Sequence, residues 1–146
     1  MSNWNRMNKE EISEFLGRGG TGVISFATES DEPPVTIPVS YGYNADIEAL
    51  YFQLSIPQES RKAELVPRQV SFVVHDETDG GWQSVVATGQ LEEISDSPYE
   101  STAIQGMWAI EIPIVEIFDR PRTEVTFRYF LLEPETLTGR TEVPSQ

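Results

Sequence analysis

Apolar and polar residues alternate along much of this chain with the two-residue period of a β-strand, and helical spacing is confined to short stretches. Six runs read as strands: Val23–Thr28, Val35–Tyr43, Ala49–Leu54, Gln69–His75, Trp82–Ile94 and Glu124–Leu132. Turn chemistry separates them at Ser30-Asp31-Glu32-Pro33-Pro34, at Asn44-Ala45-Asp46 and over Asp76–Gly81. Pro38 places the second strand at an edge or a bulge, and Gly89 predicts a bulge in the long fifth strand. Asn8-Lys9-Glu10-Glu11 opens a helix with a capping Asn and first-turn acids, followed by Ile12, Phe15 and Leu16 at helical spacing. Further short helices are expected over Ser60–Val66 and from Ser97 to about Trp108. Ile110–Arg122 reads as an irregular connection, and the chain after the last strand as a polar tail. The fold class is mainly β with short helices: one domain over residues 1–146, its core spanning about 10–135, in which short turns join six antiparallel strands that close into a small barrel.

Composition changes the picture chiefly by exclusion. Hydrophobic residues make up 38% and charged residues 23%, a globular balance. The longest apolar stretches are a few residues, against the roughly 20 a membrane helix needs, so no membrane association is expected. Met1–Ser13 lacks the apolar middle of a secretory signal, which predicts retention in the cytoplasm. The absence of cysteine excludes disulfides, thiolate metal sites and cysteine nucleophiles together. His75 is the lone histidine, so no metal is expected and any Ser/His triad would have to pass through it. It reads as structural or solvent-facing. A net charge of −14 makes nucleic acid a poor partner. The ten basic residues comprise eight Arg and only Lys9 and Lys62 as Lys, and such an acidic, lysine-poor surface predicts a halophilic, haloarchaeal protein.

Against that background, Ser60-Arg61-Lys62-Ala63 stands out. Ser60 can cap the helix that follows, so that first-turn amides, a bidentate Arg and a point-charge Lys converge as a phosphate site. The plainer alternative is a solvated Arg-Lys pair, since cations at a helix start oppose its dipole. The strand Val35–Tyr41 offers edge amides and carbonyls to a flat ring, or is simply an edge strand. Trp82 offers a face for stacking, while Gln83 and Ser84 offer hydrogen bonds. Alternation sends Trp82 and Ser84 to one face and Gln83 and Val85 to the other. Trp82 is equally a core or interface aromatic.

The order of these pieces resembles the pyridoxamine 5′-phosphate oxidase-like superfamily of FMN-binding split β-barrels, especially its small pyridoxamine-phosphate-oxidase-related or nitroimidazole-reductase-like members. Ser60-Arg61-Lys62-Ala63 is similar to the family's phosphate-binding segment after the third strand. Tyr51-Phe52 before it and Trp82-x-Ser84-Val85…Gly89 after it stand in family order. The resemblance implies a six-stranded split barrel in which Arg61 and Lys62 hold the FMN phosphate with help from Ser60. It places Ile37, Pro38, Val39 and Ser40 beside the isoalloxazine, Gln53 and Leu54 near the ribityl chain or ring, and Trp82, Gln83 and Ser84 flanking the flavin from the neighbouring strand. It further implies a homodimer with FMN at the interface, oxidising NAD(P)H for a small acceptor. Many small members carry His where Gln53 stands, and the true oxidase's C-terminal substrate segment is absent, so pyridoxamine phosphate oxidation is not expected. No catalytic acid or base is assigned. The alternatives are a non-catalytic flavin-binding protein for sensing, storage or transfer, or the same barrel holding haem or a deazaflavin.

Overall fold

A computed structural model describes residues 2–17, 19–29, 31–55, 68–79, 81–94, 105–107 and 127–144. In chain order its elements are β1 (Ser2–Arg6), α1 (Lys9–Leu16), β2 (Gly20–Phe26), β3 (Val35–Asn44), β4 (Ala49–Ser55), β5 (Gln69–Thr78), β6 (Gly81–Glu93), β7 (Phe127–Leu132) and β8 (Thr136–Pro144). All pairings are antiparallel, in the order β1-β8-β6-β5-β2-β3-β4-β7. A further pairing of β7 with β6 closes β6-β5-β2-β3-β4-β7 into the expected six-stranded barrel.

β6 is long enough to serve two partners. Trp82–Thr88 pair with β8, and Leu91–Glu93 pair with β7. Gly89 sits at this fork. Its register with β5 is unbroken, Val70 opposite Gly89 and Ser71 opposite Thr88, so the expected bulge is instead a change of partner. A Cβ at Gly89 would lie 2.9 Å from Leu132 Cδ1, so the missing side chain lets β7 approach.

The chain ends depart from the sequence expectation. Ser2–Arg6 is a strand, and the expected polar tail is the strand Thr136–Pro144, which pairs with both β1 and β6. Both strands are rich in polar residues because they extend the sheet beyond the barrel, where one face remains wet. The expected helix over Ser60–Val66 and most of the one from Ser97 lie outside the described residues. Gln105–Met107 are helical.

Alternation fills the barrel. Ile24, Phe26, Val39, Tyr41, Phe52, Val70, Phe72, Val85, Ala87 and Phe130 are buried in one cluster. Phe72 meets Tyr41 and Phe52 edge-on, with ring centroids 5.3 and 4.7 Å away. A satellite cluster of Ala49, Tyr51, Ile94 and Leu131 packs with Met107 and Tyr129, and Asn44 Nδ2 donates to the Gly106 carbonyl at 2.9 Å.

α1 begins as expected. Asn8 Oδ1 accepts from the Glu11 amide at 2.8 Å, and the Glu11 carboxylate accepts from the Asn8 amide at 3.1 Å. Ile12 and Leu16 then face the core, with Ile12 over Gly139 of β8. Asn8→Ala is expected to destabilise the protein by about 1 kcal/mol in thermal unfolding, and Glu11→Ala added to it, which removes the bond from the residue 8 amide, should lower stability further.

Candidate functional site

The barrel splits where β3 and β4 part. They pair from Asn44 opposite Ala49 to Ser40 opposite Gln53. Beyond that point β3 continues against β2 alone, over Val35–Val39, while Leu54 and Ser55 continue against β7. The β4-facing edge of Val35–Val39 therefore has no strand partner among the described residues. Pro38 lies in this stretch, where its missing N–H costs least.

Side chains alternate at this opening. Ile37, Val39 and Leu54 belong to or pack against the barrel core. A flat ligand can meet them only through backbone or at their margins. Pro38 is exposed on the outer face, with Ser40 and half-buried Gln53 at the apex of the split. Of the six residues expected beside the ring or the ribityl chain, only Pro38 is exposed; Gln53 is half-buried, Ser40 is buried, and Ile37, Val39 and Leu54 turn into the core. Ser60, Arg61 and Lys62 lie outside the described residues, a short stretch of sequence beyond Ser55.

The Trp82 segment lies elsewhere on the sheet. β2 and β5 stand between β3 and β6, so Trp82 and Ser84 lie three strands from β3 rather than on a neighbouring strand. Trp82 and Ser84 do share the outer face. Gln83 points the other way, its Nε2 donating to Thr141 Oγ1 at 3.3 Å. His75 is exposed opposite Ser84, its ring centroid 6.0 Å from that of Trp82.

Two grooves flank these residues. One of about 760 Å³ lies at the barrel mouth between α1 and the β5–β6 turn, lined by Glu11, Glu14, Asp76, Glu77 and Asp79 around Tyr41. Its acids repel phosphate. Burial, and then the charge of Asp76, push the Tyr41 hydroxyl up to about 12, so it stays a neutral phenol. The other, of about 310 Å³, lies on the outer face of β1, β8 and β6, and Arg6 and Arg140 both line it. The sequence reading missed these arginines because it assigned neither of their strands. The spaced β-branched residues Thr136, Thr138, Thr141 and Val143 were the available signal for β8.

A family model described as pyridoxamine 5′-phosphate oxidase matches residues 8–141. The chain belongs to that family. The family's split barrel recurs in solved structures. The structure of a FAD-binding protein from Mesorhizobium loti is 22% identical, with a TM-score of 0.67, covering 99% of this chain and 100% of that one. A protein proposed to act in 5-nitroimidazole antibiotic resistance in Bacteroides thetaiotaomicron is 15% identical, with a TM-score of 0.68 and coverage of 97% and 89%. The FAD and haem binding protein of Mycobacterium smegmatis is 12% identical, with a TM-score of 0.62 and coverage of 97% and 74%. No curated protein matches the chain. Among the described residues no helix is long and apolar enough to cross a membrane, and no cluster of three or more His, Asp or Glu is placed to hold a metal.

Proposed function

We propose that this family member is a cytoplasmic, homodimeric flavoprotein that binds FMN at the split between β3 and β4 and oxidises NAD(P)H for a small acceptor. The observation that carries the reading is the edge of Val35–Val39, which has no strand partner among the described residues and opens at Ser40 and Gln53. A flavin ring presents alternating donors and acceptors along one side, and a free strand edge answers them with amides and carbonyls at fixed spacing. The Ser40 hydroxyl and the Gln53 amide add polar groups at the apex. From Ser55, five residues of chain reach Ser60, an extended span of up to about 17 Å, enough to bring Arg61 and Lys62 to a phosphate at the far end of a ribityl chain.

Bound FMN supplies the hydride- and electron-accepting chemistry, and the chain's residues orient it. The β3 edge fixes the ring plane, Gln53 offers an amide donor and acceptor, and Val39 and Leu54 back the opening with core packing that keeps water out. Tyr41, Tyr43 and Tyr51 are all raised, first of all by burial, so none supplies a phenolate at neutral pH.

A second copy completes the site. Pro38, Val23, Val73 and Val86 align across β3, β2, β5 and β6 as one outward row, with Pro38, Val23 and Val86 exposed. A copy laid on this row covers it and brings its own Trp82 and Ser84 to the first copy's β3 edge. Val23→Asp combined with Val86→Asp is expected to give a monomer by sedimentation and to weaken FMN binding at least tenfold. A variant that stays dimeric with full FMN affinity contradicts this interface.

The direct test is purification in high salt, where the charge of −14 is screened in the way a halophilic protein requires. Flavin absorption in the purified protein, bleached by NADH or NADPH, is the expected result; colourless protein whose tryptophan fluorescence FMN does not quench overturns the reading. Binding without turnover is the second reading, and Gln53 favours it, because an amide cannot donate a proton as a histidine can. Flavin that copurifies but resists bleaching by either nicotinamide selects it, and a haem spectrum selects haem as the ligand, which the Mycobacterium smegmatis protein binds together with FAD.

A further inference from the structure

Arg6 and Arg140 come from opposite ends of the chain and stand directly opposite each other across β1 and β8. Like charges in that position destabilise a strand pair. The arrangement is notable in a chain with ten basic and 24 acidic residues. Arg140 is held by Glu142 at 2.9 Å and lies 5.8 Å from the Trp4 ring. Arg6 has no ion-pair partner among the described residues. Both arginines line the outer groove of about 310 Å³, together with Ser84 and Thr138. Glu142 separates Trp4 and Trp82 in one cross-strand row, so their backbone positions lie about 10 Å apart, two strand spacings, on the strands that carry the arginines. The two tryptophans are 56% and 47% exposed, two large aromatic faces left to water on one small patch.

We propose that this groove binds the nucleoside monophosphate portion of a dinucleotide, with Arg6 and Arg140 forking the phosphate and Trp4 stacking the base. A dianion between the two guanidinium groups removes their repulsion and accepts paired charge-assisted hydrogen bonds. Glu142 already fixes one of the forks. The indole face supplies the sequence-tolerant stacking that a planar base finds on tryptophan. Within one protomer the groove lies on the outer face of β1, β8 and β6, away from the β3–β4 split, and its Ser84 and Val86 side borders the row that the proposed second copy covers, so the test reads Arg6, Arg140 and Trp4, which lie outside that row.

The primary experiment titrates the full chain, in high salt, with adenosine 5′-monophosphate and with adenosine, following calorimetry and tryptophan fluorescence. The monophosphate should bind at least tenfold tighter than adenosine. Arg6→Gln with Arg140→Gln should abolish that advantage and leave adenosine unchanged, and Arg6→Lys with Arg140→Lys, which keeps the charge and loses the forks, should fall between. Trp4→Leu should weaken the monophosphate several-fold and leave inorganic phosphate unaffected. Equal binding of the two ligands, or an unchanged advantage in both arginine double variants, overturns the proposal, as does a shift in oligomeric state with no change in nucleotide affinity. Two further arms separate the sources of the nucleotide. A loss of preference for FAD over FMN in the glutamine variant assigns the groove to a flavin's adenylate, and a loss of NADPH affinity at constant FMN affinity assigns it to the electron donor. FMN affinity itself should not move, which distinguishes a failure here from a failure of the flavin site.

Discussion

Arg61→Ala combined with Lys62→Ala is expected to weaken FMN binding by about a hundredfold or more while leaving riboflavin binding unchanged. Each side chain offers hydrogen bonds from a full charge to a phosphate, worth about 1.5–3 kcal/mol apiece, and every 1.4 kcal/mol is a factor of ten. Riboflavin has the ring and ribityl chain without the phosphate, so it reports the β3 edge alone. The ratio of the two affinities therefore isolates the phosphate interaction from folding. Lys62→Arg should retain most of the affinity, since charge is kept, whereas Arg61→Lys should lose more because the planar fork is lost. Net charge makes the experiment sensitive. With −14 on the chain the background potential repels an anion, so the native affinity depends on a local cationic exception. A double variant that discriminates FMN from riboflavin as the native protein does places the phosphate elsewhere, and the Arg6–Arg140 groove is then the next place to look.

The barrel was legible because its strands obey one rule. Val23–Thr28, Gln69–His75 and Trp82–Ile94 each bury alternate side chains, and an inward Ile24, Phe72 or Val85 leaves an alternating trace in sequence. β1 and β8 were not legible because they extend the sheet past the barrel. With only part of either strand covered, Thr136, Arg140 and Glu142 impose no hydrophobic period, and the run reads as a tail. That omission hid part of the candidate chemistry too. Arg6 and Arg140 look unrelated until two end strands are paired. Gly89 illustrates a different failure. Glycine inside a strand signals close backbone approach, and a bulge is only one way to produce it; here the approach is that of Leu132 at a change of partner. At the β3–β4 split, Pro38 marked the edge correctly, while the inward direction of Ile37, Val39 and Leu54 followed from register with β2 and β4, which no local pattern encodes.

Gly22→Ala is expected to be among the most destabilising single-methyl additions in the molecule, at about 2–3 kcal/mol. Gly22 lies on the inner face of β2, opposite Val39. A Cβ built there would stand 2.6 Å from Phe72 Cζ and 2.7 Å from the Val73 carbonyl oxygen. The ring cannot swing away freely, because Tyr41 and Phe52 grip it edge-on from two sides. The carbonyl cannot retreat either, since Val73 is paired with Val23 on one side and Val86 on the other. Relief therefore requires β2 and β5 to separate in the middle of the closed barrel. For a chain of this size a loss of 2–3 kcal/mol lowers the melting temperature by roughly 5–12 °C. Phe72→Leu added to Gly22→Ala should not restore stability, because the carbonyl contact survives and the aromatic cluster is lost. Thermal unfolding in high salt, followed by circular dichroism, decides the point: a Gly22→Ala protein melting within about 2 °C of the native one would show that β2 and β5 have more freedom than their packing implies.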